Sequence, residues 1–417
     1  GRIYPINPKG GRILDLPVYS SLTALPETPD LVIVVVPAQF VAGVLREAGR
    51  LGIKGGLILS AGFREAGRLD LEEEIAAVPR EYGLRFVGPN VQGLNYLPNK
   101  MCAMFFPVIK TRGRLGIISQ SGTVTAALSE WADDEGLGIS AAINLGNQVD
   151  LCESDYLDYL AGDDHTSAVA MYIEGLKDGR RFISTLKRVT PQKPVVILKG
   201  GRTAAGRKSA ASHTGSLAGD HAVFAAACHQ FGAVIATDLE TLYDAAKALT
   251  TLRPLRGRRV LMTSTSGGAG TLGMDEIESQ ALAFPEPAPE FLRELAGLEL
   301  PPLARPANPF DLATVFPGPF GEVFRLADRL DLYDLFLLCF GDPVVGGSSL
   351  AMELNRTLKA PLAVVYFGGG AEEKAGRVEM HRAGIPVYPA PERAIRGIGA
   401  AAAYWRDRGR RQSLNRP

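Results

Sequence analysis

The chain has 417 residues, 46% of them apolar and 22% charged, which is the composition of a soluble globular protein of two to four domains. Lysine plus arginine and aspartate plus glutamate both number 45, and a formal net charge of zero argues against nucleic acid or an anionic membrane as a partner. No apolar run is long enough to cross a bilayer, and Cys102, Cys152, Cys228 and Cys339 lack CxxC spacing, so they read as reduced thiols of a cytoplasmic protein with no metal site.

The chain starts at Gly1, and Arg2 to Pro8 reads as a strand already under way, with no signal peptide before it; residues upstream of this strand are expected to be missing. Leu31 to Val36 is a β-rich run typical of a buried parallel strand, and Val41 to Gly52 follows with helical spacing. Gly56 to Ser60 is the next strand, Leu69 to Tyr82 a polar helix, and Arg85 to Val87 a third strand. These strands end in Pro37-Ala38, Ser60-Ala61-Gly62-Phe63 and Gly88-Pro89-Asn90, and ligands of open α/β sheets bind at such carboxyl ends. The alternation restarts at about 113 with a strand at Arg114 to Ile118, the turn Ser119-Gln120-Ser121-Gly122-Thr123 and a helix from Val124 to Glu135. The start of that helix is either an anion site or an ordinary cap by Ser121 or Thr123.

Ser167 to Ile173 is a strand with Glu174 at its carboxyl end, where a carboxylate can orient an imidazole or be a solvated loop residue. Lys193 to Lys199 is another strand, leading into Ser209 to Asp220, a stretch of small residues and hydroxyls around His213. An unshielded imidazole, neutral and nucleophilic near pH 7, suits a group that takes something up and hands it on; the alternative is a turn that contains a histidine. Asp220 to Phe231 and Leu239 to Leu249 read as helices around a strand at Val234-Ile235. A third unit begins at Arg258 to Thr263. Phe284 to Pro319 reads as proline-rich and irregular, strands are expected at Leu335 to Phe340, Leu362 to Phe367 and Pro386 to Tyr388, and a helix over 391–405. The expected domains are therefore 1–112, 113–254 and 255–405, with 406–417 a frayed basic tail or linker stub.

Several partial motifs fail. Arg207 intrudes into Gly201 to Ser209 and breaks a P-loop; His221, Cys228 and His229 are badly spaced for a metal; His165 and His381 read as surface positions. Residues 268–273 match GxGxxG, yet no second strand ending in an acid follows, so they read as a backbone nest or tight strand-to-helix turn.

The motif order resembles the α subunit of NDP-forming acyl-CoA synthetases, the acetyl-CoA synthetase branch of the succinyl-CoA synthetase superfamily. The resemblance runs over nearly the whole chain through Asn7-Pro8-Lys9, Val36-Pro37-Ala38, Ser60 to Phe63, Gly88-Pro89-Asn90, Ser119 to Thr123, Tyr172-Ile173-Glu174-Gly175 and Ser212-His213-Thr214-Gly215. It implies an α/β fold: an N-terminally truncated, CoA-binding Rossmann-like domain followed by two flavodoxin-like ligase domains. By position, it makes His213 the phosphohistidine, Glu174 the carboxylate holding the imidazole, and Ser121, Gly122 and Thr123 the phosphate-gripping helix start. It places coenzyme A at Lys9, Pro37, Ser60, Gly62 and Asn90. The third unit, with Gly267 to Gly270, resembles the extra ligase domain of that branch.

There are departures from the family pattern. The family's first strand and glycine-rich CoA loop are absent, and Val91 stands where succinyl-type enzymes often carry cysteine. No ATP-grasp domain is visible, so ATP/ADP and Mg2+ are expected on a β subunit or separate segment, in a hetero- or homo-oligomer. The activity implied is an NDP-forming acid–CoA ligase acting on CoA and a small carboxylic acid. Its rivals are a related CoA ligase or lyase for another acid, a catalytically silent CoA-binding regulatory or scaffold protein, and an NAD-type dehydrogenase using 268–273.

Overall fold

The computed structural model describes residues 1–414 apart from 106–107, 207, 209–218, 266, 278, 281, 342–343, 367 and 369. The first sheet has three parallel strands, Leu31–Val34, Gly55–Ile58 and Arg85–Val87, lying side by side in chain order. Helix Ala38–Arg50 presents Val41, Leu45 and Ala48 to a core with Val32, Val34, Ile58 and Phe86. The helix expected over 69–82 is two, Leu69–Ala76 and Val78–Tyr82; Pro79 in the first turn of the second has no N–H to continue the ladder. The strand expected over Arg2 to Pro8 survives only as an isolated bridge between Ile6 and Tyr19, since Pro5 and Pro8 remove donors.

The second sheet has seven strands, in spatial order Val234–Ala236, Val195–Lys199, Ala168–Ile173, Arg112–Ser119, Ile139–Asn144, Gly93–Tyr96 and Met101–Met104. The first five are parallel, and the last two form an antiparallel hairpin along Ile139–Asn144. Sheet membership therefore departs from the boundary expected at 112. The hairpin covers the apolar edge of Ile139–Asn144, a strand buried on both faces. Strand Ile139–Asn144 and helices Glu153–Gly162 and Gly179–Val189 complete this layer.

The third sheet is parallel throughout, ordered Phe310–Asp311, Val260–Ser264, Leu335–Phe340, Leu362–Tyr366 and Val387–Tyr388. The region expected to be irregular, 284–319, contains helix Pro289–Leu295 and strand Phe310–Asp311, because Phe291 and Phe310 are drawn fully into the core. The expected frayed tail is also helical as far as Leu414: helix Pro391–Leu414 runs past 405, packs on helix Leu239–Thr251, and buries Ile395, Ile398, Ala401 and Tyr404.

A charged cluster closes the seam between the second and third domains. Lys247 is fully buried; its Nζ meets Glu135 Oε2 at 2.7 Å, donates to Val387 O at 3.0 Å, and lies over the rings of Tyr243 and Tyr388. Arg377 reaches Glu135 at 3.2 Å, and Arg393 reaches Asp244 at 2.7 Å. His381 is not at the surface as its polar helix suggests but buried here. Its Nε2 accepts the Val387 N–H at 3.0 Å, so Nδ1 carries the proton and donates to Glu135 O at 2.8 Å. Burial, then the Lys247 charge, pushes its pKa down to about 4. His165 is exposed, as its sequence context suggests. Among the described residues no helix is long and apolar enough to cross a membrane.

Candidate functional site at the strand ends

The adjacent parallel strands Arg112–Ser119, Ala168–Ile173 and Val195–Lys199 carry their carboxyl ends to one edge of the second domain. Helix Gly122–Asp134 starts there, with Ser121 as cap; Ser121 Oγ accepts the Val124 N–H at 3.4 Å. That cap takes up one donor, and helix geometry leaves the Gly122 and Thr123 N–H groups without intrahelical acceptors. Capping and anion holding are therefore compatible here. Asn144 braces the turn, donating from Nδ2 to Ser119 O at 3.1 Å and accepting the Gln92 N–H at 2.7 Å.

Glu174 lies one residue beyond strand Ala168–Ile173 and is 7% exposed. Its carboxylate faces the Tyr172 hydroxyl. Burial first, then the Glu174 charge and hydrogen bond, pushes the Tyr172 pKa up to about 12. The Glu174 main chain is gripped from both neighbouring strands. Gln120 Oε1 accepts the Glu174 and Gly175 N–H groups at 2.6 and 3.0 Å, and its Nε2 donates to Gly175 O at 2.7 Å. From the other side Lys199, 4% exposed, donates through Nζ to Glu174 O and Gly200 O, both at 2.6 Å. Gly200 has no room for a side chain, since a Cβ there would sit 2.7 Å from Tyr172 Oη and 3.4 Å from Glu174 Cγ. Gln120, Tyr172 and Lys199 carry no assigned role in the sequence reading; the available signal was a polar residue abutting an apolar strand.

His213 lies outside the described residues. On the near side of its segment Arg202 donates to Thr237 O at 2.9 Å, and on the far side Asp220 caps helix His221–Gln230 by accepting from Ala222 N at 2.8 Å and Val223 N at 3.1 Å. His221 is held below the ordinary histidine range by burial, then by the Arg202 and Lys199 charges.

Pro37, Ser60, Gly62 and Asn90 are brought together at the strand ends of the first domain. Ser60 Oγ donates to Val36 O at 2.5 Å, and Asn90 N donates to Ser60 O at 2.9 Å. Pro37 precedes helix Ala38–Arg50 with no side-chain cap, leaving its first N–H groups facing outward, while Val35 and Phe40 stand exposed beside it. An uncapped helix start beside bare apolar side chains fits a thiol cofactor that joins phosphates to an apolar arm. Gly62 is different: its N–H and that of Phe63 are taken by Glu65 Oε1 at 2.6 and 3.1 Å. Lys9 lies in an exposed turn, where its N–H donates to Asn7 Oδ1 at 3.0 Å.

The two sites meet along residues 144–148. Asn147 Nδ2 donates to Glu65 Oε2 at 2.6 Å, Asn90 Nδ2 donates to Asn147 Oδ1 at 3.3 Å, and Lys177 Nζ donates to Gln148 O at 2.5 Å. Glu65 and Asn147 are unmarked in the sequence reading because the hydrogen bond between them joins segments 82 residues apart in the chain.

In the third domain, helix Gly267–Ile277 follows strand Val260–Ser264, and Thr265 Oγ1 accepts the Gly341 N–H at 2.9 Å. The GxGxxG residues fall inside this helix. Gly270 packs on Pro309 and Gly273 on Met262, so both glycines serve close packing. Among the described residues no group of three or more His, Cys, Asp or Glu is placed to hold a metal ion.

Comparison with known proteins gives two family matches: a CoA binding domain over residues 1–97 and a succinyl-CoA ligase like flavodoxin domain over 112–249. The chain is 36% identical to the α subunit of acetate–CoA ligase [ADP-forming] I of Pyrococcus furiosus, over 96% of this chain and 89% of that protein. It is 35% identical to acetate–CoA ligase [ADP-forming] I of Archaeoglobus fulgidus, over 97% of this chain and 58% of that longer protein. The fold superposes on acetyl-coenzyme A synthetase 1 of Ca. Korarchaeum cryptofilum, solved with phosphate and ADP, with a TM-score of 0.91 and 30% identity over 100% of this chain and 91% of that one.

Proposed function

The chain belongs to the α-subunit family of ADP-forming acyl-CoA ligases, and from that membership we propose that it interconverts acyl-CoA, NDP and phosphate with carboxylic acid, CoA and NTP through a phosphohistidine at His213. The observation that carries the reading is the buried Glu174 carboxylate. It is fixed at a strand end beside both a helix start and the strand that leads to His213.

In the first step a phosphate oxygen attacks the thioester carbon, the C–S bond breaks, and the CoA sulfur leaves as thiolate and takes a proton. The N–H groups at the start of helix Gly122–Asp134 hold the phosphate and the charge that develops on it. In the second step a ring nitrogen of His213 attacks phosphorus, and the carboxylate of the acid leaves with the P–O electron pair. Glu174 orients the ring and stabilises the imidazolium formed as the nitrogen is phosphorylated. The phosphoryl group then passes to ADP. We assign ADP, ATP and Mg2+ to an ATP-grasp β subunit or domain, and Pro37, Ser60 and Asn90 to the CoA crevice. Glu65 satisfies the Gly62 N–H, so Gly62 serves the shape of this crevice and not phosphate binding. The reading keeps the reaction in the cytoplasm, in keeping with four free cysteines.

The test is to incubate the chain with acetyl [32P]phosphate, or with labelled ATP and the β partner, and look for an acid-labile, base-stable label. The expected result is label on the wild type and none on His213→Ala. An unlabelled wild type, or equal labelling of the variant, overturns the relay and leaves the silent CoA-binding protein as the better reading.

A further inference from the structure

We propose that Gln120 is a positioning residue that sets the spacing between the anion-holding helix start and the Glu174 carboxylate. This rests on the phosphohistidine reading above and adds a residue to it. Gln120 is 7% exposed. Its main-chain N–H donates to Tyr172 O at 3.1 Å, so it sits in register with the strand that carries Glu174. Its side chain then continues the ladder where the strands stop. Oε1 takes the N–H groups of Glu174 and Gly175, and Nε2 donates to Gly175 O at 2.7 Å.

The next residue in the chain is Ser121, the cap of the helix whose start grips the anion. One residue therefore tethers both stations, the helix start covalently and the main chain of the Glu174-Gly175 turn, which carries the carboxylate, by three hydrogen bonds. Only a primary amide of this length does this. It accepts two N–H groups and donates to a carbonyl; an ionised glutamate has no donor, a methionine lacks the hydrogen bonds, and asparagine is shorter by one methylene. A buried amide is costly unless satisfied, and the turn Glu174-Gly175 satisfies this one. Lys199 grips Glu174 O from the opposite strand, so loss of Gln120 frees one side of the turn and leaves the other anchored.

The experiment measures His213 labelling by acetyl [32P]phosphate and discharge of the label to acetate across pH, for the wild type, Gln120→Met and Gln120→Asn. Melting temperature and CoA binding in the first domain report folding. The expected labelling rate of Gln120→Met is down about 100-fold, the cost of a misplacement of about 1 Å. CoA affinity stays at the wild-type value. The phosphoimidazolium is the discharging form, and a nearby carboxylate favours its charge. With Glu174 displaced, the midpoint at which discharge falls with rising pH moves to lower pH.

Gln120→Asn keeps the polarity and shifts the same way, so it carries the test if the methionine variant does not fold. Wild-type rates and midpoint in a folded variant overturn the proposal. So does a slowing that only tracks the folded fraction, with the midpoint unmoved. An unlabelled wild type overturns the phosphohistidine reading itself, and the proposal with it.

Discussion

Two regions of this protein bury a lysine, and they use it in opposite ways. At the seam between the second and third domains, Lys247 is neutralised by the Glu135 carboxylate and enclosed by tyrosine rings. At the strand ends, Lys199 spends its donors on the main-chain carbonyls of Glu174 and Gly200. The first arrangement cancels charge and joins two bodies. The second fixes the main chain of a turn at the edge where the fold presents its helix start. Burial and residue type are the same in both, so neither marks function alone; the chemistry of the acceptors separates clasp from site.

Substitutions should separate the two regions cleanly. Glu174→Gln should cut the rate of His213 labelling by about 1000-fold, the scale of losing a preorganised electrostatic group, with an unchanged melting temperature. A large drop in melting temperature instead would move Glu174 into the structural class. Lys247→Met should do the reverse: about 3–5 kcal/mol of stability lost in urea unfolding, because the buried Glu135 carboxylate loses its lysine partner and keeps the Arg377 pair and the Tyr243 hydroxyl, with labelling per folded molecule unaltered.

The seam should also respond to acid. His381 is held at about 4 against an ordinary 6.5, so the unfolded chain binds its proton first as pH falls. Its contribution is fully present above pH 6.5, is lost between 6.5 and 4, and totals about 3 kcal/mol at about 1.4 kcal/mol per unit. Glu135, Lys247 and Arg377 face the same ring: burial and then the Lys247 and Arg377 charges oppose its protonation, and the Glu135 carboxylate and carbonyl offset them only in part. Unfolding free energies of the wild type and His381→Gln at pH 7, 5.5 and 4.5 check this; equal slopes would show that the ring is not the sensor. The smallest effect belongs to the cap: Ser121→Ala should cost about 1 kcal/mol. It should lower phosphate affinity little, since the proposed site holds the anion by main-chain N–H groups.

The alternation of strands and helices was legible because runs such as Leu31–Val34 and Leu335–Phe340 are continuous, β-rich and bounded by turn residues. Strand Ile139–Asn144 was not, because its Ser and Ala residues mask a position buried on both faces. Helix Gly318–Arg329 was hidden by the prolines around it, although Pro319 sits in its first turn, where proline is tolerated. His381 looked like a surface residue because its helix is polar, and only the fold shows that it faces a second domain. At the site, the strand-end motifs pointed to Ser121 and Glu174, whose turns are visible in sequence. Gln120 and Lys199 act on main-chain atoms brought together by strand pairing, and no local pattern announces that. Asn147 and Glu65 join two domains, which no single segment can reveal.

The hairpin Gly93–Tyr96 and Met101–Met104 decides where this chain can be cut and rejoined. A chimaera spliced at 97, where the CoA-binding family match ends, would set one foreign strand into a native sheet, and one spliced at 112, where the ligase match begins, would set two there. A junction just before Gly93 would exchange the cofactor module whole, and with it whatever selectivity for the thiol donor that module brings.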